Sequence, residues 1–154
     1  MPTVFKTIKI KRYSNVVNEY PASAAIIPGA LVELISTGKV RNHATSGGYV
    51  APMIALEDEL QGRGINDNYA ADEPVQVWSA NHGDEAYLLL RDEETIVIGD
   101  LLQSDGLGKV MKRTSTNTVV GIALEAKDLS TFPEGSESSA RGAYYNPRIR
   151  VSIQ

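Results

Sequence analysis

The chain contains no cysteine. That excludes disulfide scaffolds, thiolate zinc ribbons and thiol nucleophiles. With 154 residues it needs no such staple, since a folded chain of this length buries about 70% of the surface its unfolded form exposes. Long apolar runs are also missing. None approaches the roughly 18 residues of a membrane helix, so no membrane partner is expected. The opening Met1-Pro-Thr-Val-Phe-Lys6 lacks the apolar core of a signal peptide, and synthesis in a cytoplasm is expected. Histidine is scarce. His43 sits in a Thr/Ser/Gly-rich turn, and His82 sits in the loop Asn81-His-Gly-Asp-Glu85. Neither has a second histidine or glutamate at ligand spacing, so no metal or other cofactor is expected. No Gly-x-Ser-x-Gly elbow occurs. The acidic runs Glu57-Asp-Glu59 and Asp92-Glu-Glu94 read as solvated turns rather than a carboxylate pair facing across a cleft. The chain is therefore expected not to be an enzyme.

Room for helix is also lacking, because glycine and proline interrupt most windows of three turns. One short helix is conceivable after Leu124, before Pro133. What the chain does have is period-two alternation. Ile8 and Ile10 alternate with Thr7, Lys9 and Lys11, and Ile149, Val151 and Ile153 alternate with Arg148, Arg150 and Ser152. Such spacing puts the apolar side chains on one face of a strand. Leu88-Leu-Leu90 and Ile96-Val-Ile98 suit strands buried on both faces. Turn signals at Pro28-Gly29, Ser46-Gly-Gly48, His82-Gly-Asp84 and Asp105-Gly106 punctuate them. The fold class is all-β, a small β-barrel or sandwich.

The sequence also repeats itself. Gly29-Ala-Leu31 followed by Gly38-Lys-Val40 recurs as Gly99-Asp-Leu101 followed by Gly108-Lys-Val110, an offset of 70 residues (Gly29 to Gly99). Ile54-Ala-Leu-Glu57 recurs as Ile122-Ala-Leu-Glu125, and a proline opens an apolar strand after each, at Pro74 and Pro147. Three elements in one order favour a duplicated β module, with halves at about 25–90 and 95–154 in a single domain spanning 21–154. Residues 1–20 lie outside the repeat. They read as an extended N-terminal arm, basic and aromatic, able to pair with its own sheet or a neighbour's. Charge is uneven: the arm is +3, residues 21–106 are −10 and residues 107–154 are +3. An acidic chain without a Lys/Arg cluster repels phosphate, so no direct nucleic-acid partner is expected.

Five segments carry a resemblance. They are Gly99-Asp-Leu-Leu-Gln-Ser-Asp-Gly106 with Val119-Val-Gly-Ile-Ala-Leu-Glu125, Leu56-Glu-Asp-Glu-Leu-Gln-Gly-Arg-Gly-Ile-Asn-Asp-Asn-Tyr69 with Val75-Gln-Val-Trp78, and Arg148-Ile-Arg-Val-Ser-Ile153. Over residues 25–154 the chain resembles the small head decoration, or cement, proteins of tailed double-stranded DNA bacteriophages. The resemblance implies a viral structural protein, a homotrimer on the outer capsid surface of the virion. Its partner would be the major capsid protein, whose neighbouring subunits it would clamp for capsid stabilisation. It carries no catalytic residues over. The residues themselves point to the arm for contact, with Phe5, Ile8, Ile10 and Tyr13 packing on a capsid subunit and Lys6, Lys9, Lys11 and Arg12 steering toward acidic patches. A competing reading is a carbohydrate- or cell-surface-binding β module, which needs an exposed aromatic platform at Trp78 or Tyr144-Tyr145. A third is a hydrolase using Glu57, Asp92 or Glu125, which needs a carboxyl with a raised pKa in a cleft.

Overall fold

A computed structural model describes residues 5–13, 15–131 and 146–154. The chain is all-β, and its strands pair antiparallel throughout. In chain order they are β1 (Lys9–Lys11), β2 (Val16–Pro21), β3 (Val32–Leu34), β4 (Val40–Asn42), β5 (Met53–Ala55), β6 (Pro74–Ser79), β7 (Glu85–Leu89), β8 (Thr95–Ile96), β9 (Leu101–Ser104), β10 (Val110–Lys112), β11 (Gly121–Ala123), β12 (Lys127–Asp128) and β13 (Arg148–Ile153). A 3-10 turn spans Glu59–Gln61. The segment after Leu124 is strand β12 rather than a helix, paired with β8 and followed by buried Leu129. The sheets run β1-β7-β13-β11-β9-β10, β2-β6-β5, β3-β4 and β12-β8. None is a continuous closed barrel.

The alternation read from the sequence sets the strands' faces. Along β13, Ile149, Val151 and Ile153 are fully or almost fully buried, while Arg150 and Ser152 are half-buried. β7 is buried from Ala86 to Leu89, with Leu88 and Leu89 in separate apolar clusters. One core gathers Ile8, Leu31, Ile54, Trp78, Leu88 and Ile149 among others. A second gathers Ile26, Val40, Tyr69, Val75 and Val77.

The strand pairings repeat residue for residue. Leu34 faces Val40 in the first hairpin, and Ser104 faces Val110 in the second. Ile54 pairs with Trp78 as Ile122 pairs with Ser152. Tyr20 pairs with Val75 as Leu88 pairs with Ile149. Isolated bridges agree too: Leu31 meets Ile54 where Leu101 meets Ile122, and a parallel bridge joins Ala22 to Val40 where another joins Leu90 to Val110. Two identical ladders therefore make up the body, β2-β6-β5-β3-β4 and β7-β13-β11-β9-β10. Each bends back so that its last strand touches the residue after its first.

These pairings place the boundaries differently from the sequence motifs. β2, assigned above to the arm, is the first strand of the first unit. β7, assigned to the first half, opens the second. The motifs missed both because neither strand carries the glycine-spaced turns that made the repeat visible. Among the described residues, those ahead of β2 and the β8–β12 pair stand outside the two ladders, and β1 adds to the outer edge of β7 within the same chain, Lys9 facing Ala86 and Lys11 facing Glu85.

Candidate interaction surface

The N-terminal segment is held at several points. The Ile8 N–H donates to Glu57 Oε2 at 3.2 Å, and the Ile8 carbonyl accepts from Tyr87 N–H at 2.9 Å. The Ile8 side chain is fully buried in the core. Ile10 is half-buried and packs on the same core. Phe5 is half-buried, edge-on to Tyr87 at 5.5 Å between ring centroids, with the Arg150 guanidinium 5.8 Å from its centroid. Ile8 is thus committed to the chain's own interior, while Phe5 and Ile10 are half committed. The alternation that marked a contact strand also marks a strand of this core, and sequence alone does not separate the two.

Four of the five remaining expected contact residues face water. Lys6, Lys11, Arg12 and Tyr13 are exposed, Tyr13 at 91%. Lys9 is half-buried and donates from Nζ to Asn15 Oδ1 at 2.7 Å. Burial lowers the Lys9 pKa, and the nearby Arg12 charge adds to the effect. Lys11, Arg12 and Tyr13 line an open concavity of about 330 Å³ with His82, Gly83 and Asp84. Asp84 is buried beneath it and holds the corner by accepting from the Tyr13 and Asn81 N–H groups. His82, read from sequence as a plain hairpin loop, belongs to this cluster. The spacing could not show that, because the β1–β7 pairing brings residues 11–13 to residues 82–84.

A second cleft of about 340 Å³ is lined by Glu19, Asp58, Leu60, Gln61, Arg63, Glu73, Pro74 and Gln76. Glu57 and Asp58 are buried rather than solvated. Glu57 satisfies the Ile8 N–H, and the Asp58 carbonyl accepts from Gln61 and Arg63. Asp92 is fully buried. Reading the acidic runs as solvated turns was therefore incorrect at these three positions: all three side chains are buried, and the Glu57 carboxylate turns inward to meet a backbone donor. Glu125 accepts from Arg150 N–H at 3.0 Å. Arg63 and Glu73 form a two-pronged pair at 3.0 and 3.2 Å. Arg63, then the Ala70 N–H, holds the Glu73 carboxyl down at about 2. The sign follows: a depressed carboxylate stabilises the fold above its unfolded pKa, and the contribution is lost as pH falls through the folded value. Melting temperature is expected to fall between pH 4.5 and about 2, and Glu73→Gln should flatten part of that drop.

The aromatic platform required by the carbohydrate reading is absent at Trp78, which is fully buried. Tyr144 and Tyr145 lie outside the described residues. The raised carboxyl is Asp105, pushed up by burial. It accepts from Leu107 and Lys109 N–H at 2.8 and 3.0 Å within its own turn. The Ser36-x-x-Lys39 spacing falls in the β3–β4 turn, where Lys39 pairs with Asp72 at 2.5 Å. His43 is buried, with Nδ1 2.6 Å from Ser104 Oγ and Nε2 2.8 Å from the Tyr49 carbonyl. It pins the first unit to the second. Neither a protein-family model nor a curated protein matches the chain.

Proposed function

We propose that this chain is a non-catalytic capsid decoration protein, docking on the outside of an assembled phage head as a homotrimer and clamping neighbouring major capsid subunits. The observation that carries the reading is the exposed cluster of Lys11, Arg12, Tyr13 and His82 beside edge strand β1. Two cations and an exposed aromatic ring, set on a rigid β body, can engage an acidic surface. Weak contacts to several subunits add up only on the assembled lattice. The resemblance of the motifs in residues 25–154 to cement proteins supports the same reading.

Deleting residues 2–13 is a poor test, because it removes the buried Ile8 and is expected to destabilise the fold. Reversing the exposed charges keeps the core. The variant Lys6→Glu, Lys11→Glu, Arg12→Glu is expected to melt within a few degrees of the wild type. It should lose co-sedimentation with expanded heads of the cognate major capsid protein. Full decoration by a folded triple variant would overturn the assignment of this surface. A wild-type chain that ignores heads but is retained on a polysaccharide would favour the carbohydrate-binding module instead.

A further inference from the structure

The two units of the chain meet through a one-way contact. The first-unit turn Ile27-Pro-Gly-Ala-Leu31 lies against the outer edge of β7. Leu89 N–H donates to the Gly29 carbonyl at 3.0 Å, and Leu31 N–H donates to the Gly108 carbonyl at 2.8 Å. Arg148 donates to the Pro28 carbonyl at 2.9 Å. Pro28 to Leu31 are buried. The equivalent turn of the second unit, Val97-Ile-Gly-Asp-Leu101, has the same backbone. Gly99 sits at φ +92° and Gly29 at +95°. Gly99 N–H donates to Ala123 O at 2.9 Å, as Gly29 N–H does to Ala55 O at 2.8 Å. Yet Val97, Ile98 and Leu101 are 54%, 70% and 38% exposed.

The receiving side is unequal in the complementary way. β1 and the Gly29 turn cover the outer edge of β7. Among the described residues, no strand pairs with the outer edge of β2, its first-unit counterpart. Val16 on that strand is 51% exposed. Ser104 is buried beneath His43 and Gly47, whereas its counterpart Leu34 is 50% exposed. Gly108 is crowded by Asn42, whereas its counterpart Gly38 faces open space. Among the described residues, one copy thus displays an apolar turn with no seat and a seat with no turn.

We propose that these surfaces meet between copies, the Val97–Leu101 turn of one chain docking on the β2 edge and β3–β4 hairpin of the next. Within the chain, the internal contact is the template, which identifies the occupant as a second copy. The contact is head-to-tail, so it leaves one free surface at each end of an open assembly and closes only as a ring. It is weaker than the internal one. Pro21 stands at the position of Leu89 and has no N–H to give, and Pro74 stands at that of Arg148. Apolar burial carries it, and assembly depends on concentration. The inference names the surface for the self-association proposed above. It rests on the pairing equivalence alone, so its test needs no capsid.

The test is sedimentation velocity over a concentration series with the full chain, Ile98→Asp, Leu34→Asp and their equimolar mixture. Both positions are exposed, so circular dichroism and melting should match the wild type. The wild type is expected to form species heavier than 16.7 kDa. Each variant should associate roughly 30-fold more weakly or not at all, the scale of a central apolar contact. The mixture should recover a dimer and stop there, because it pairs one intact turn with one intact seat. A wild type that stays monomeric overturns the proposal. So does a variant that associates like the wild type, or a mixture that remains monomeric.

Discussion

Arg148→Ala is expected to destabilise the chain by about 3–5 kcal/mol, the cost of stripping a buried charged donor from several acceptors at once. At this chain length the melting temperature should drop by roughly 10 °C or more. The guanidinium is almost wholly buried, and burial lowers its pKa to about 10, so it remains charged near neutral pH. It donates to the Pro28 carbonyl at 3.2 and 2.9 Å, to Asn66 Oδ1 at 3.2 Å, to the Asn146 carbonyl at 3.4 Å and to the Ile65 carbonyl. These groups belong to three separate loops, from both units, that end at one place. A planar fork with five donors reaches them together. Lysine keeps the charge but offers donors from a single point, so Arg148→Lys should recover less than half of the loss. Methionine fills the volume and leaves the carbonyls unpaired, so Arg148→Met should resemble alanine. Thermal and urea unfolding of the three variants would check the order. Near-wild-type stability in Arg148→Met would show that volume, not donation, is what the site needs.

Arg148 also shows where sequence reading stopped. The alternation of Ile149, Val151 and Ile153 made β13 legible, and on that pattern Arg148 belonged to the polar side. Its burial comes from packing against the first unit, which no local pattern encodes. The duplication was legible because glycines at 29, 38, 99 and 108 must adopt positive φ in tight turns, and such residues leave a visible trace. Strands β2 and β7 have no such trace and were assigned to the wrong side of each boundary. Lys11, Arg12 and Tyr13 were legible as a basic, aromatic stretch. His82 was not, since it reaches them only through strand pairing across a long separation. Ile8 was misread for the opposite reason: an Ile/Lys alternation describes a core strand and a docking strand equally well. Glu57 and Asp58 were misread because a run of acids shows its charge and hides which of its side chains the fold will bury.

The repeat supplies its own control for a second large effect. Gly29→Ala is expected to cost about 3 kcal/mol or more, and Gly99→Ala about 1–2 kcal/mol. Both positions share one backbone geometry, φ +95° and +92°, so both pay the cost of forcing a Cβ into a region that L-residues avoid. Their surroundings differ. A Cβ on Gly29 would lie 3.0 Å from the Tyr87 carbonyl, 3.1 Å from Arg148 Nε and 3.4 Å from Ile8 Cδ1, while one on Gly99 meets nothing within 4 Å. The first neighbour is backbone in the middle of β7 and cannot retreat without disturbing the six-stranded sheet. The second belongs to the guanidinium that ties the loops together. The difference between the two variants, measured by urea unfolding in an Ile98→Asp background so that the chain is monomeric, therefore isolates the crowding at the junction of the units. Equal losses would mean that the junction yields freely, and that the two units are held together by Arg148 and the apolar core rather than by close backbone contact at Gly29.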